Sequence, residues 1–441
     1  MAVTKELNER LTRVGPGTPG GELLRRYWHA VIPAAELTRE RPKKRVRLLG
    51  EDLVIFLDSD GGYGLIAENC AHRGCSLYYG FLENGGLRCA YHGWLWDRSG
   101  KCREQPFEPT ESMMKHVVRM KAYPVQRIAG ILFAYMGPDP APLLPRWDVV
   151  AREDGTRLVE VQPVIECNWL QAEENSLDPT HVYYLHGHTL FTKGLRPRNP
   201  YRPISAYDFE QFEHGIMKKR IYEGDGLNAY AEPGHPAVFP NMLRHHSEGR
   251  DGHNPFDGTM PIDMHFRIPI DDTHTQVIWL GFTPSADGSW TDPYEEEPEL
   301  VYVDSLMDEA GDFHMRTYPS HDSMAWVTQG PVFNRAAEHL GASDRGIAMW
   351  RQLLEEQIAI VEAGGDPINV FRDPEKNRLI EFSPSRVLVG DKYAARDSEA
   401  VQGWQEYRPG TREQALSGMA RRQKLPDGKE DSHEAKFYGN G

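Results

Sequence analysis

Between residues 45 and 140 the apolar positions come in short runs: RVRLL, LVIFLD, GLIAEN, LRCAYH and ILFAYMG, parted by Gly, Asp and Asn turns. Runs of that length and spacing predict a small β-rich domain. It ends in PDPAPLLPRW, whose prolines suit a boundary. Beyond residue 150 strands and helices mix. RLVEVQPVIECNW begins with alternation, and MHFRIPI, the turn DDTHT and QVIWLGFTP read as a β-hairpin. The clearest helix runs from Ser343 to Val361, with Ser343 as its cap, Asp344 in its first turn, and Ile347, Trp350, Leu354, Ile358 and Val361 on one face. Gly364-Gly365 stops it. Before residue 38, Thr18-Pro19 opens a short amphipathic helix, with Leu23, Leu24, Tyr27 and Trp28 near helical spacing. The division expected is a leading segment 1–37, a β-rich domain 38–150 and a larger domain 151–441, with a polar tail from about 410 that is disordered or wraps a partner subunit.

Composition narrows the function. The 441 residues have room for two or three domains, and 39% hydrophobic with 26% charged residues is compatible with a globular protein. A net charge of -15 argues against nonspecific binding to nucleic acid or anionic lipid. The basic run RERPKKRVR reads as a solvated face. No apolar run is long enough to span a bilayer, and the N-terminus lacks a signal-peptide core, so a cytoplasmic, non-membrane protein is expected. Five cysteines in so long a chain do not form a disulfide framework and are better read as ligands or packing.

The first cluster of chemistry is Cys70-x-His72 and, after sixteen residues, Cys89-x-x-His92. Two thiolates and two imidazoles can hold one zinc tetrahedrally, or a [2Fe–2S] cluster with both Cys on one iron and both His on the other. Cys-x-His is uncommon in zinc fingers, and Gly74 and Gly93 allow close backbone approach to inorganic sulfur. CAHRGC with CAYHGWLWD resembles the Rieske domain, which implies the iron–sulfur alternative and a one-electron relay. Cys75, Cys102 and Cys167 have no partner at ligand spacing and read as small packing residues.

The second cluster is NWLQAEENSLDPTHVYYLHGH, residues 168–188, nine of whose twenty-one residues are Asn, Gln, Glu, Asp or His. Asp178, His181 and His186 form Asp-x-x-His-x4-His, which suits a ferrous ion with open positions. His188 is a rival to His186. Asp178-Pro179 resembles a cap and first helical residue. Five residues of α-helix from His181 turn about 500°, which leaves His186 roughly 140° off the face of His181. The helix should therefore bend, bulge or end within 182–187 if both rings are to reach one metal. A third, distal carboxylate is not fixed by spacing: Asp304, Asp308, Asp312 and Asp322 are all open, and Asp322 could equally cap a helix through Met324 and Trp326.

With the upstream cluster, this stretch resembles the oxygenase (α) subunit of the Rieske non-haem iron oxygenases. TRVGPGTPGGELLRRYW, PIDDTHT and QGPVFNRAAEHLGASDR resemble the phthalate-dioxygenase-like branch. The resemblance implies an α+β fold: a small antiparallel β Rieske domain followed by a helix-grip (START-like) catalytic domain with an antiparallel sheet. It implies a [2Fe–2S] cluster on Cys70, His72, Cys89 and His92, and a mononuclear Fe(II) on His181, His186 and Asp322. Asp178 then bridges His181 to the cluster histidine of a neighbouring subunit, here His92. That implies a homotrimer or dimer of trimers served by a flavin/iron–sulfur reductase. The implied reaction uses O₂ to hydroxylate, dihydroxylate or O-demethylate an aromatic, carboxylated substrate. Among the cations of the stretch 187–330, Arg220 or Arg244 could orient the carboxylate. A stand-alone electron carrier and a structural zinc module are the competing readings; the first leaves the second domain and the second His/Asp set unexplained.

Overall fold

The apolar runs of the first third form strands in three small antiparallel sheets. The computed structural model describes residues 3–382 except 84, 200, 202, 223–229, 233–234, 247–260, 286 and 293–296, together with 412–414 and 416. The expected tail thus falls almost wholly outside the described residues. Lys43–Leu48, Glu51–Leu57, Tyr63–Ala67 and Ala122–Tyr123 make one four-stranded sheet. Phe81–Glu83, Gly86–Arg88, Leu95–Asp97 and Cys102–Glu104 make a second. A three-stranded sheet joins Trp28–Pro33, Ile131–Tyr135 and Val125–Ile128. The first helix motif starts as expected: Thr18 caps Pro19–Leu24 through a hydrogen bond from the Gly21 N–H. It is shorter than expected, because Trp28 already begins a strand.

The later part is built on a nine-stranded sheet. Its path runs Ala206–Phe212, Gly215–Tyr222, Ala237–Val238, Met242–His246, Ile262–Pro269, Thr275–Pro284, Gly155–Val161 and Glu299–Tyr302, with Tyr230–Glu232 beside Gly215–Tyr222. The expected hairpin is its centre, with Pro269 opposite Thr275 and Ile262 opposite Phe282. All pairings are antiparallel except that of Gly155–Val161 with Glu299–Tyr302. The long helix is Arg345–Glu362, two residues shorter at its start than expected. Ser343 belongs instead to a 3₁₀ turn, Ala342–Asp344, where the Asp344 carboxylate accepts from the Gly341 N–H.

Strand parity decides which residues face the site. Every residue of Ile262–Pro269 is buried. Ile262, Met264, Phe266 and Ile268 enter the main hydrophobic core; Asp263, His265 and Arg267 therefore point to the other face. Glu173 on the helix Trp169–Asn175 lies 3.6 Å from Arg267, so that face is the one the helices cover.

The helix Trp169–Asn175 is pinned by the polar residues that crowd its sequence. Asn168 caps it through the Leu170 N–H and donates to the carbonyls of Thr12 and Asp272. Gln171 donates to the carbonyls of Trp326 and Gly330 and accepts from the Phe333 N–H. Glu174 is clasped by Arg335 at 2.8 Å and Arg351 at 2.6 Å, all three buried. Burial disfavours its charge, but the two guanidiniums hold its carboxyl below the usual range. Deleting one member of such a set strands a buried charge, at about 3–5 kcal/mol. Most of the polar density in 168–175 thus anchors the helix rather than binding a ligand. Among the described residues no helix is long and apolar enough to cross a membrane.

Candidate metal centres and the charged sheet face beside them

Two loops at strand ends bring Cys70, His72, Cys89 and His92 together. Each loop is closed the same way: the Gly74 N–H donates to the Cys70 carbonyl at 2.8 Å, and the Gly93 N–H to that of Cys89 at 2.9 Å. Both glycines have φ near +75° (73° and 75°), the region a side chain resists. The φ, not lack of space, requires glycine at 74, since nothing lies within 4 Å of a Cβ there. Cys70 and Cys89 are buried, while His72 and His92 are half-buried, with ring centroids 4.5 Å apart. His72 stacks on Trp94 at 4.3 Å, and the Trp96 indole N–H donates to the Cys70 sulfur at 3.3 Å. Two inward thiols and two outward imidazoles on glycine-closed turns suit a group with a buried and a surface-facing metal, as a [2Fe–2S] cluster has. Cys102 and Cys167 are buried as expected of packing residues; Cys75 is half-buried.

The second set is drawn from two helical segments. After Asp178 the chain runs through one helical residue and then a π-helix, Val182–His188. The i→i+5 ladder of a π-helix spans about five residues per closed ring, which returns His186 to the side of His181. The bulge expected from the 140° mismatch is therefore this π-helix. His181 Nδ1 lies 3.0 Å from the Asp178 carbonyl and 3.5 Å from its Oδ2, so Nδ1 carries the proton and Nε2 is left as a lone pair. Asp178 Oδ1 accepts from the Thr180 N–H and hydroxyl at 2.7 and 2.8 Å. Burial opposes its charge, but His181 and Thr180 hold the Asp178 carboxyl well below the usual range.

Asp322 comes from the helix Tyr318–Val327. It does not cap that helix: Thr317 does, accepting from the Ser320 N–H, and Asp322 sits in the interior. Its Oδ1 is 3.3 Å from His186 Nε2, and this buried oxygen has no hydrogen-bond partner. One donor atom of each of His181, His186 and Asp322 lies within 4.8 Å of the others, the single such trio of potential ligands among the described residues. A partnerless buried carboxylate oxygen beside two imidazole nitrogens fits a cation. His188 is not in the trio, and Asp304, Asp308 and Asp312 are exposed.

Two neighbours of the trio carry no spacing signal. Tyr318 sets its ring 4.9 Å from that of His186. His321 is fully buried, with its Nδ1 3.2 Å from His186 Nδ1. Burial, and His186 beside it, push His321 down to about 4, so it is a neutral imidazole at working pH.

Beside the trio the covered sheet face is charged. Lys218 and Arg220 alternate onto it from Gly215–Tyr222, and Lys218 reaches the Asp178 carbonyl. His265 stacks on Trp279 at 4.0 Å and takes Asp263 at 2.9 Å; burial outweighs Asp263 and lowers it to about 4. Arg267 is 3% exposed, and its Nε and Nη1 have no hydrogen-bond partner. Both oxygens of Glu173 are likewise without one. Burial raises the Glu173 carboxyl well above the usual range, and Arg267 and Lys218 only partly offset this. Arg244, one of the two residues expected to orient a carboxylate, lies elsewhere. It stands opposite Met264 on the core face and pairs with buried Asp148 at 2.8 Å.

Residues 27–124 match the family described as the Rieske [2Fe-2S] domain, and residues 293–415 the LigXa C-terminal domain like family. The chain is 38% identical to the 5,5'-dehydrodivanillate O-demethylase oxygenase subunit of Sphingobium sp. (strain NBRC 103272 / SYK-6), over 90% of this chain and 91% of that protein. It is 35% identical to the phenoxybenzoate dioxygenase subunit alpha of Ectopseudomonas oleovorans, over 88% and 92%. Among solved structures, NdmA of Pseudomonas putida CBB5 superposes with a TM-score of 0.57 at 19% identity, covering 82% of this chain and 98% of that one, a likeness of fold.

Proposed function

The chain belongs to the Rieske non-haem iron oxygenases, as an oxygenase subunit with a [2Fe–2S] cluster and a mononuclear iron, and from that premise we propose which of its residues do the work and on what. Cys70, His72, Cys89 and His92 hold the cluster; His181, His186 and Asp322 hold the iron. The observation that carries the second assignment is the buried Asp322 Oδ1, which makes no hydrogen bond and faces His186 Nε2 at 3.3 Å. When bound, the cluster supplies single electrons and the ferrous ion an open-sided centre for O₂ activation. The protein residues set the conditions. Asp178 fixes the His181 ring by accepting its Nδ1–H. One edge of Asp178 stays open, its side chain being 25% exposed, so that His92 of a neighbouring subunit can donate to it. That contact asks for a ring of subunits, most simply a homotrimer. A flavin/iron–sulfur reductase supplies the electrons.

The substrate is an aromatic acid. Lys218, Arg220 and Arg267 make the covered face cationic, and Trp279 gives it a flat aromatic wall. A carboxylate on Arg267 would satisfy donors that the protein leaves unmade. Relatives named for 5,5'-dehydrodivanillate and phenoxybenzoate accord with a ring acid. Arg267→Gln is expected to reduce the preference for benzoate over benzamide, compared as ligands by calorimetry, by about 10–100-fold, since a hydrogen bond to a charge contributes about 1.5–3 kcal/mol. An unchanged ratio would remove Arg267 from recognition.

Metal analysis tests the whole reading. The purified protein should be red-brown, with about three irons per chain and labile sulfide for two of them. It should couple O₂ uptake to product from an aromatic acid once a reductase is supplied. Colourless protein with stoichiometric zinc would defeat the assignment.

A further inference from the structure

The helix Tyr318–Val327 grips the His186 ring at both nitrogens with consecutive residues. Asp322 faces Nε2 at 3.3 Å, and His321 faces Nδ1 through its own Nδ1 at 3.2 Å. The two rings lie 5.4 Å apart at 22°, and His321 is fully buried. We infer that His321 is a positioning residue for the metal site: it accepts the Nδ1–H of His186 and so holds the Nε2 lone pair toward the metal. The inference rests on the assignment of His186 as an iron ligand.

Two facing imidazole nitrogens close one hydrogen bond with one proton, so its owner decides what the far nitrogens present. If His321 donates, neutral His186 carries its proton on Nε2 and aims it at Asp322, which bars a metal. If His186 donates, Nε2 is a lone pair beside Asp322 Oδ1, the arrangement a ligand needs. His321 must then carry its own proton on Nε2, and that buried atom has no hydrogen-bond partner. An unmade buried donor costs about 1–3 kcal/mol, so this tautomer is held at some cost to the fold. Loading a metal therefore shifts tautomers across both rings without requiring a proton to leave the pair.

The arrangement also makes the two ligand rings unlike. His181 is backed by the Asp178 carboxylate and carbonyl, His186 by a neutral ring. A carboxylate raises ligand basicity, so His186 should be the weaker donor.

The test uses the full chain loaded with Fe(II), with cluster absorbance as the control for folding. Iron release to a chelator and the electron paramagnetic resonance spectrum of the nitric oxide adduct are followed. His321→Phe keeps a ring but no acceptor. It should release the mononuclear iron about 10–100-fold faster, with the cluster spectrum unchanged. His321→Asn restores an acceptor near the Nδ1 position and should return release to within about threefold of wild type, the low end of such effects. Iron held as tightly by His321→Phe as by wild type would overturn the inference, as would equal loss from both variants, which would make ring packing the cause. Should His321→Phe lose its cluster, proton double resonance on the wild-type adduct decides: an exchangeable N–H on both liganding rings supports the inference, and one on a single ring overturns it. Wild type with an intact cluster but no second iron would instead defeat the ligand assignment, and the inference with it.

Discussion

Asp178→Asn is expected to stop product formation while both metal centres stay loaded. The substitution keeps the size of the side chain and one carbonyl oxygen. That oxygen can still take the Thr180 N–H and hydroxyl, which Asp178 Oδ1 accepts at 2.7 and 2.8 Å, so the start of the helical segment should survive. What is lost is the second acceptor. Asp178 Oδ2 faces His181 Nδ1 at 3.5 Å, and an amide NH₂ there would set donor against donor. His181 keeps the Asp178 carbonyl at 3.0 Å, which is why its place in the metal trio should be retained. The partly exposed edge, however, could no longer receive an imidazole N–H from a neighbouring subunit. Removing an outer partner of a metal ligand typically costs 10–100-fold, and a bridge between centres should sit at or beyond the upper end, so turnover is expected to fall by at least about 100-fold. Three measurements on one preparation check it: iron content, cluster reduction by dithionite, and product per electron supplied. Unchanged content and reducibility with no product is the expected result. Normal turnover would refute the bridge.

Two kinds of polar residue share the buried face beside the trio. Residues with saturated and with unmade hydrogen bonds occupy neighbouring positions on one helix. Glu174 is saturated by two arginines, whereas Glu173, the residue before it, has neither oxygen bonded. A buried pair that approaches to 3.6 Å without a hydrogen bond contributes little to stability, because desolvation offsets its attraction. In the reading proposed above, the pair keeps a cation, Arg267, turned to the substrate carboxylate. Arg244 on the opposite sheet face differs in making a direct bond to its carboxylate, Asp148, at 2.8 Å.

These distinctions show what could be read from the chain beforehand. The cluster residues were legible because each loop holds its Cys and His within four positions, a local feature. His181 and His186 were legible for the same reason, and even the π-helix left a trace, as the angular mismatch of a five-residue spacing. Asp322, the third member of the trio, left none; only the resemblance singled it out from Asp304, Asp308 and Asp312, since a residue from a distant helix has no spacing to obey. Arg244 was misplaced because one residue of strand register decides the face, and the register was fixed only by the pairing of Arg244 with Met264. His321 carries no signal of its own, because successive residues on a helix point about 100° apart and adjacency to Asp322 does not imply a shared target. Here both converge because they take the same ring from its two nitrogens. The polar density of residues 168–188 signalled importance but mixed two causes, tethering and chemistry, that composition does not separate.

Asp322→Ala should lose the mononuclear iron and keep the cluster. The carboxylate is the trio's one anionic donor, and two neutral imidazoles alone hold a ferrous ion weakly. Misfolding is a poor explanation for such a loss, on two grounds. Asp322 lies inside the helix Tyr318–Val327, not at its cap, and alanine is the better helix former there by up to about 0.7 kcal/mol. Its Oδ1 has no hydrogen-bond partner, so the change strands no donor elsewhere in the fold. The metal-free variant should therefore melt no lower than chelator-treated wild type. Loaded wild type should melt above both, because a ligand bound only by the folded state adds stability in proportion to RT ln(1 + [L]/Kd). Iron and sulfide assays with thermal unfolding of the three samples check this together. The expected signature is about two irons per chain with full sulfide, an intact cluster spectrum, and no rise in melting temperature when Fe(II) is added back. A third iron retained at full occupancy would mean that the ligand is another carboxylate, and Asp304, Asp308 and Asp312, exposed in this structure, would have to move inward to supply it.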